Sequence, residues 1–335
     1  MKLKLLEKGK VRLTDSLKNK FLTFTLLSTS VLLFGSGKYA GEFISGGVDA
    51  RSLSLGNIIL TSFENPSAVY FNPAFLPETD FDGVILSHSE RFEGIVQQEF
   101  AAYKTRYSGI DIGAALIWIN IDGITLTKLE NEQEIPGEDN RILPDGSVSD
   151  NEFAFFLSLG KKYNDKMNWG AGVKFLYKTF EEESAAGLGF DVSGLYKFND
   201  KILAGLKLQD VTTSALFWTT GTNEFVSPSV LFSAEYNGRI NYFLTDYKII
   251  GGTKIRTENY KEYSLASIGF ADVVLSAGLE LKYNFIFLRG GYNSDDTWSA
   301  GSGLAYSGFL LDYAFKPDFE DLGNTHKLSL SYMWK

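Results

Sequence analysis

MNWGAGVKFLYKT, residues 167 to 179, alternates between apolar side chains and small or polar ones along most of its length. Trp169 and Phe175 represent the odd positions, whereas Gly170 and Lys174 represent the even ones. Because successive side chains of a strand point to opposite faces, this period of two predicts a β-strand with one apolar face. The same alternation recurs at residues 186–198, 273–284 and 326–334.

Fourteen such segments are predicted along the chain. Bacterial outer-membrane barrels require an even number of antiparallel strands. We therefore predict an all-β protein, a 14-stranded antiparallel transmembrane β-barrel over residues 82–335 with an N-terminal plug segment before it. The predicted strands are 82–90, 95–106, 109–120, 152–163, 167–179, 186–198, 200–210, 228–237, 242–256, 272–284, 285–292, 297–306, 308–316 and 325–335.

The connections between these segments alternate in length. Outer-membrane barrels have short periplasmic turns and long external loops. The pattern therefore predicts a location in the bacterial outer membrane, lipid of that membrane as a partner, and both termini in the periplasm. The tight, turn-forming connections are 107–109, 164–166, 199–200, 237–239, 283–284 and 307–308, and the longer ones are 121–151, 180–185, 211–227, 257–271 and 316–324.

Two features favour a barrel over a soluble β-sandwich or solenoid, in which alternation would also occur. Aromatic residues stand near the ends of the apolar faces, as in the interfacial girdles of membrane barrels: Trp118, Tyr163, Trp169, Tyr177, Phe198, Tyr283, Tyr292, Trp298 and Trp334. The opposite faces carry too many charges for a dry sandwich interior. We expect these charges to face the lumen: Lys174, Asp191, Lys197, Glu280, Arg289 and Asp312.

The N-terminus has the order of a targeting segment. Seven basic residues precede an apolar run of 14 residues from Phe21 to Phe34, and Gly35-Ser36-Gly37 follows. This order predicts a secretory signal peptide over residues 1–37 with cleavage after Gly37, and cleavage after Ala40 is the alternative. An uncleaved anchor helix is a further alternative, although the apolar run is shorter than the roughly 20 residues of a spanning helix.

The rest of the chain is acidic and lacks cysteine. Residues 38–335 hold 25 basic and 39 acidic side chains, a formal charge of −14. This charge disfavours nucleic acid as a partner, because phosphate binding requires a basic surface. The lack of cysteine excludes disulfides, thiol catalysis and thiolate metal sites.

No constellation of residues indicates catalysis, so we predict that the protein is not an enzyme and has no cofactor or metal. The two histidines, His88 and His326, lie on the first and last predicted strands, which are neighbours in a closed barrel. A metal or catalytic pair is one interpretation, and polar residues at the outer interface are the favoured one. The acidic runs 181–183 and 295–296 are interpreted as solvated loop charge, with weak divalent-cation binding the alternative.

Residues 38–81 do not alternate like a strand and form the predicted plug segment. Asn65 is a good N-cap and Pro66 suits the first helical position, so a short helix is predicted to end at Asn72 before Pro73. Such a short helix is unstable alone in water. It must pack on another surface, and the barrel lumen is the nearest one.

Two motifs in this segment resemble the PorV/PorQ family of outer-membrane proteins, which is related to the FadL-type fatty-acid transporters. Residues 47–56 match Gly-x-x-Ala-Arg-x-Leu-x-(Met/Leu)-Gly, and residues 65–76 match (Asp/Asn)-Pro-Ser-Ala-x-Tyr-x-Asn-Pro-Ala-x-Leu. The resemblance implies a plug built from these motifs. The predicted plug-motif residues are Arg51, Gly56, Asn65, Pro66, Tyr70, Asn72, Pro73 and Ala74.

The last predicted strand carries Lys327, Ser329, Tyr332 and Trp334. Their spacing is similar to the polar-x-small-x-x-aromatic-x-aromatic signal that the barrel assembly machinery reads. That machinery is therefore a predicted partner. The alternative is the ordinary alternation of any last barrel strand.

The resemblance implies two functions. PorV-like members serve type IX secretion, so the main prediction is an accessory or carrier role with secreted cargo proteins as partners. The FadL relationship implies the alternative, uptake of small hydrophobic molecules through a lumen gated by the plug. Within such a lumen Arg51 should pair with Asp191, Glu280 or Asp312, because an unpaired guanidinium there would be costly. We favour a plug-anchoring ion pair over a substrate contact for Arg51.

Overall fold

The structure, a computed structural model, describes residues 46–256, 266–268, 271–295, 297–317 and 323–335, with residues 266–268 described by their backbone. The predicted signal peptide at residues 1–37 lies outside the described residues. Fourteen strands form the wall of a closed antiparallel barrel, and the first strand, β1 (Asp82–Arg91), pairs with the last, β17 (Thr325–Trp334), to close the ring. The predicted 14-stranded antiparallel β-barrel is confirmed.

The wall strands follow one another around the ring in chain order. They are β1 (Asp82–Arg91), β2 (Val96–Tyr107), β3 (Ile110–Leu129), β4 (Ile142–Lys162), β5 (Met167–Phe180), β6 (Glu183–Lys197), β7 (Ile202–Gln209), β10 (Ser229–Ile240), β11 (Thr245–Arg256), β13 (Ala271–Tyr283), β14 (Ile286–Asn293), β15 (Trp298–Tyr306), β16 (Phe309–Lys316) and β17 (Thr325–Trp334). Three short strands lie outside this ring order: β8 (Ser214–Trp218), β9 (Asn223–Val226) and β12 (Ala266–Ile268).

Two long connections contain more regular structure than the sequence indicated. The loop predicted over residues 121–151 is too long, because β3 continues to Leu129 and β4 begins at Ile142. Beyond the wall, both faces of this hairpin meet water, so no apolar alternation marks its strands. Within the connection predicted at 211–227, β8 and β9 form a hairpin that pairs with β6.

Most predicted tight turns lie where expected, and Ser307 and Gly308 adopt the positive φ angles, 48° and 84°, of a two-residue hairpin turn. The turn predicted at residues 237–239 is wrong, because β10 continues to Ile240 and the turn occupies residues 241–244. Within the strand, Gly238 pairs with Tyr247 and leaves room for its ring. The longer loop predicted at 180–185 is a two-residue turn, Glu181-Glu182.

The outer face of the wall is a band of large apolar side chains. Leu157 is 45% exposed and Phe175 is 47% exposed, while charged and small side chains occupy the inner face. This distribution of side chains is the reverse of that in a soluble protein and is typical of a transmembrane barrel. The aromatic residues predicted near strand ends are exposed on the outer face, except that Trp334 is partly buried. Among the described residues, no helix combines the length and apolarity needed to span a membrane.

Residues 46–81, which we call the N-terminal segment, contain three short helices: α1 (Ala50–Ser54), α2 (Ala68–Phe71) and a 3-10 helix (Pro73–Glu78). The helix predicted to begin at Pro66 begins instead at Ala68. The Asn65 carboxamide oxygen accepts hydrogen bonds from the backbone and hydroxyl of Ser67, so it caps a turn that precedes the helix. The helix ends before Asn72, as predicted.

The N-terminal segment lies inside the ring of strands, against inward-facing glycines of the wall. A Cβ atom at Gly278 would lie 2.7 Å from the Leu55 oxygen, and one at Gly291 would lie 2.5 Å from the Gly56 nitrogen. Side chains at these positions would push the segment away from the wall. Six further glycines are approached in the same way: Gly113, Gly160, Gly170, Gly205, Gly252 and Gly301.

Candidate functional site

The space between the N-terminal segment and the wall divides into two regions with different chemistry. We call the first the charged half, formed by Arg51, Glu64, Lys248, Glu280, Arg289 and Asp312. We call the second the apolar half, formed by Phe63, Tyr70, Phe71, Phe75, Phe100, Ile117, Phe156 and Leu176.

The charged half is centred on the contact between Arg51 of α1 and Glu280 of β13. The Arg51 Nε donates to one Glu280 carboxylate oxygen at 2.9 Å, and its Nη2 donates to the other at 3.1 Å. Both side chains are almost fully buried. The remaining guanidinium donors bind the backbone oxygen and hydroxyl of Ser62. Of the three carboxylates expected for Arg51, Glu280 is therefore its partner, and the contact is a fork-to-fork ion pair.

Two further cations extend this network. The Arg289 Nε donates to Glu280 at 2.6 Å, and its Nη1 donates to Asp312 at 2.7 Å. Lys248 donates to Glu64 at 2.9 Å and lies 3.5 Å from Glu280. Glu280 thus meets cations from the segment and from two other wall strands. Since each charge has an opposite charge within reach, the network can stay ionised away from bulk water.

The pKa values of the segment residues follow from these contacts. Burial alone would lower the pKa of Arg51, but the charges of Glu280, Glu64 and Asp49 raise it above its ordinary value. Burial alone would raise the pKa of Glu64, yet Lys248 and Arg51 lower it below its ordinary value. Both groups are therefore charged at neutral pH, and the attraction between segment and wall persists.

The apolar half is a cluster of aromatic rings between the segment and strands β2 to β5. The Phe63 ring stacks on Phe71 with centroids 5.6 Å apart and meets Phe75 edge-on at 5.3 Å. The Tyr70 ring meets Phe156 edge-on at 5.3 Å. Such pairs contribute about 0.5–1.5 kcal/mol beyond the burial of their area. The side chains of this half thus contact one another through the faces and edges of their rings.

A second ion network lies beside Tyr70. The Asp191 carboxylate lies 3.0 Å from the Lys207 Nζ and 3.2 Å from the Lys174 Nζ. The Lys174 Nζ also lies 2.6 Å from an Asp210 carboxylate oxygen. Lys207 in addition donates to the Tyr70 backbone oxygen at 2.8 Å. Burial, followed by the charges of Asp191 and Asp210, raises the pKa of Tyr70 above its ordinary value, so its hydroxyl stays protonated.

The other predicted plug-motif residues also contact the segment or wall. The Asn72 side-chain nitrogen donates to the Leu60 oxygen, and its oxygen accepts from the Ala74 nitrogen at 3.1 Å. Gly56 has a φ of 87°, which favours glycine, and its carbonyl accepts from Asn293 at 2.9 Å. Pro66 lies against Gly83, and Pro73 lies against Gly160 and Gly170. The motif residues therefore hold the path of the segment along the wall.

The predicted lumen-facing charges are brought to the inner face, and the residues of the predicted assembly signal divide between faces. Lys174, Asp191, Glu280, Arg289 and Asp312 are buried, and Lys197 binds Glu78 of the 3-10 helix. Lys327 donates to the Gly47 oxygen at 2.7 Å, and Ser329 accepts from the Ala50 nitrogen at 2.8 Å. Tyr332 and Trp334 stack on the outer side. Lys327 and Ser329 thus contact the segment, which the signal interpretation did not include.

The two histidines lie on the outer face, each with its own partner. His88 lies 2.5 Å from a Glu99 oxygen, and His326 lies 2.8 Å from the Tyr313 hydroxyl. Across the β1–β17 pairing, His326 is opposite Glu90, two residues from His88. Among the described residues, no group of three or more His, Cys, Asp or Glu side chains is arranged to hold a metal ion.

In the acidic run at residues 295–296, Asp295 pairs with Arg256 at 2.9 Å, and Asp296 lies outside the described residues.

Sequence reasoning missed several wall residues that hold the segment. Lys104 donates to the backbone oxygens of Thr79 and Phe81 at 3.0 and 2.7 Å, and Ser233 accepts from the Leu60 nitrogen at 2.8 Å. Lys104 and Lys248 stand at inward positions of their strands, so alternation could have identified them as luminal. Their partners in the segment include backbone atoms and the distant Glu64, and alternation contains no information about such contacts.

Neither a family model nor a curated protein matches the sequence. Solved structures do share the fold. The barrel is similar to the P. putida toluene transporter TodX (TM-score 0.58, 12% identity, covering 86% of this chain and 98% of that one). It is also similar to the Ralstonia pickettii toluene transporter TbuX (TM-score 0.53, 12% identity, 87% and 99%) and to a Pseudomonas aeruginosa FadL homologue (TM-score 0.50, 11% identity, 86% and 98%). At such identities the likeness shows the fold alone, a closed β-barrel that resembles those of these outer-membrane transporters.

Proposed function

We propose that this protein is an outer-membrane channel for small hydrophobic molecules, and that its N-terminal segment is the plug. The observation that carries the proposal is the full-length likeness of the barrel to two toluene transporters, of which this chain matches 98% and 99%. The alternative prediction from the sequence, a FadL-like channel, is therefore better supported than the carrier role in type IX secretion. We assign the short turns and both termini to the periplasm.

The two halves of the interior suggest how such a channel would work. Moving the segment away from the charged half would leave Arg51 and Glu280 without each other, and breaking a buried pair costs about 3–5 kcal/mol. Moving Tyr70 or Phe71 away from the wall costs less when an apolar solute takes the vacated place, because apolar contact replaces apolar contact. We therefore assign anchoring to the charged half and solute passage to the apolar half.

Solute uptake tests this proposal. Cells that lack their own hydrocarbon channels would express the full chain, and uptake of radiolabelled toluene would be measured. We expect uptake above that of cells carrying an empty vector, and greater uptake by a Phe156→Ala variant, which opens the apolar half. The matched control is Phe155→Ala, which changes the adjacent lipid-facing ring and should leave uptake unchanged. Uptake no greater than with the empty vector would refute the channel function.

A second candidate is the carrier role in type IX secretion that the PorV/PorQ resemblance implies. It is supported by residues 47–56 and 65–76, and by the acidic β3–β4 hairpin that extends beyond the rest of the wall. A carrier should copurify with secreted proteins in a host that has type IX secretion. Shortening the hairpin by removing residues 124–148 should abolish that copurification and leave toluene uptake intact, so the two functions are separable.

A further inference from the structure

The outer face of strands β2 to β6 contains a groove of about 620 Å³ within the band of apolar side chains. Its sides are Tyr103 of β2 and Phe190 of β6, which lie in one register row across the five strands. Neighbouring strands are about 4.8 Å apart, so these two rings are separated by about 19 Å around the wall. The floor includes Ala114 and Ala171. Their methyl groups project less far than the rings, and this difference in height makes the depression.

Towards the short turns, the groove ends at Lys161. This exposed residue follows Leu159 by two positions, on the same outward face of β4, and is in register with Trp169 of β5. Aromatic rings and the ammonium groups of long lysine side chains occupy the boundary between lipid tails and headgroups. This end of the groove therefore lies at the level of the headgroups, and the rest of the groove lies among the tails.

The length of the groove matches one leaflet of a membrane. Leu157 lies in the row of Tyr103, and from Leu157 to Lys161 the strand rises about 14 Å. The hydrocarbon core of a bilayer is about 30 Å thick, so one leaflet supplies about 15 Å of it. An acyl chain whose headgroup lies at Lys161 would therefore follow the groove along most of its leaflet.

The turn beside the groove is basic. Lys161 is followed by Lys162 and Lys166, and Asp165 is the single acidic residue between positions 160 and 170. All three lysines are exposed, and none of them forms an ion pair with a carboxylate in the part of the chain that the structure describes. Phosphate oxygens are strong acceptors for lysine ammonium groups. Charge complementarity thus favours a lipid that carries a phosphate over an uncharged one.

We propose that this groove, which we call the lipid groove, binds one glycerophospholipid, with an acyl chain between Tyr103 and Phe190 and the phosphate at Lys161. The site goes beyond the proposed channel function, because its ligand lies outside the wall and is a constituent of the membrane. With the short turns in the periplasm, the lipid belongs to the periplasmic leaflet. A flexible chain fills such a depression, whereas the convex wall of a second copy would leave voids and would bring the same lysines together.

Native mass spectrometry of the full chain in non-ionic detergent tests the headgroup contact. Phosphatidylglycerol and a diacylglycerol with identical acyl chains would be added separately. We expect one phosphatidylglycerol molecule to be retained, at least about fivefold more tightly than the diacylglycerol. Lys161→Gln should weaken phosphatidylglycerol binding about fivefold and leave diacylglycerol binding unchanged. Lys161→Arg keeps the charge and should retain the preference.

A second pair of variants tests the acyl-chain contact. Ala171→Phe fills the floor of the lipid groove and should abolish retention of phosphatidylglycerol. The matched control is Ala300→Phe, which adds the same ring on the outward face of β15 and should retain the lipid as the unaltered protein does. Both substitutions face lipid, and the heat-dependent gel mobility of each variant checks that its barrel is folded.

Absence of retained phosphatidylglycerol on the unaltered protein would overturn the proposal, whatever the variants do. Equal retention by folded Ala171→Phe would also overturn it, because the lipid would then bind elsewhere. Equal retention of phosphatidylglycerol and diacylglycerol would show that no phosphate is bound at Lys161. A dimer of the unaltered chain that Ala171→Phe dissociates would show that a second copy, not a lipid, occupies the groove.

Discussion

The two halves of the barrel interior hold the same segment by different means. In the charged half, Arg51, Glu280 and Arg289 meet at 2.6 to 3.1 Å in fixed directions. In the apolar half, rings such as Phe63 and Phe71 meet with centroids 5.6 Å apart, and such contacts depend less on direction than the hydrogen bonds of an ion pair do. The first kind of contact specifies a position, because an ion pair lost from the interior has no substitute. The second kind can be exchanged for another apolar surface.

This contrast explains how a filled barrel could still admit a solute. A segment anchored by directional contacts along one side can separate from the wall along the other side without leaving the barrel. Four variants or conditions test this contrast, and they follow in order of expected effect.

The first test removes the central anchor with Arg51→Met. Because Glu280 then loses its partner from the segment, we expect the docking of α1 to weaken by about 3–5 kcal/mol. Amide hydrogen exchange of residues 50–54 should accelerate at least about 100-fold. The control is Arg239→Met, at an exposed pair with Asp246, which should change exchange little. Equal protection in Arg51→Met would show that the charged half does not anchor the segment.

The second test empties part of the apolar half with Phe156→Ala. The ring is 4% exposed, so its removal should lower the free energy of unfolding by about 3 kcal/mol. Denaturant titration in detergent measures this change. Phe155→Ala, next in the chain but 40% exposed on the outer face, should cost at most about 1 kcal/mol. If α1 exchange rises with Phe156→Ala as much as with Arg51→Met, the two halves do not act separately.

The third test compares neighbouring glycines on β14. A Cβ atom at Gly291 would lie 2.5 Å from the Gly56 nitrogen, whereas one at Gly290 meets nothing within 4 Å. Gly291→Ala should therefore destabilise docking of the segment by about 1–3 kcal/mol, as overpacking does. Protease sensitivity of residues 46–79 in the folded barrel reports on this change. Similar sensitivity in Gly290→Ala would contradict the close approach of the segment at Gly291.

The fourth test is pH. Lys248 and Arg51 hold the pKa of Glu64 below its ordinary value of 4.5, so the carboxylate stabilises the docked segment fully above pH 4.5. That stabilisation, about 1 kcal/mol or less for a partly exposed pair, should be lost as pH falls through the folded pKa. Hydrogen exchange of the segment, corrected for intrinsic rates, should show this loss. Glu64→Gln should be less stable at neutral pH and should lack this part of the pH dependence.

Alternation alone was sufficient to predict the wall. The apolar and polar positions of β5 and β6 alternate because lipid lies on one side and polar groups lie on the other. The alternation disappears where that contrast ends. In residues 121–129 and 142–149, both faces meet water, so strand was mistaken for loop. In the N-terminal segment, α1 was missed because a five-residue helix buried on all sides has no amphipathic period.

The prediction that Arg51 needs a carboxylate followed from the cost of burying a lone charge, and that cost can be read from the residue type alone. The choice of Glu280 over Asp191 and Asp312 could not be read in this way. The choice of partner depends on where the ring closes and on which glycines leave room for the segment. Ring closure and docking of the segment each bring together residues more than 200 positions apart.

Local chemistry therefore specified the barrel and the presence of luminal charge, because the period of a strand and the cost of an unpaired ion are properties of short stretches of chain. Only closure of the sheet created the separation into charged and apolar halves, since it sets which side chains from distant strands share one enclosed space.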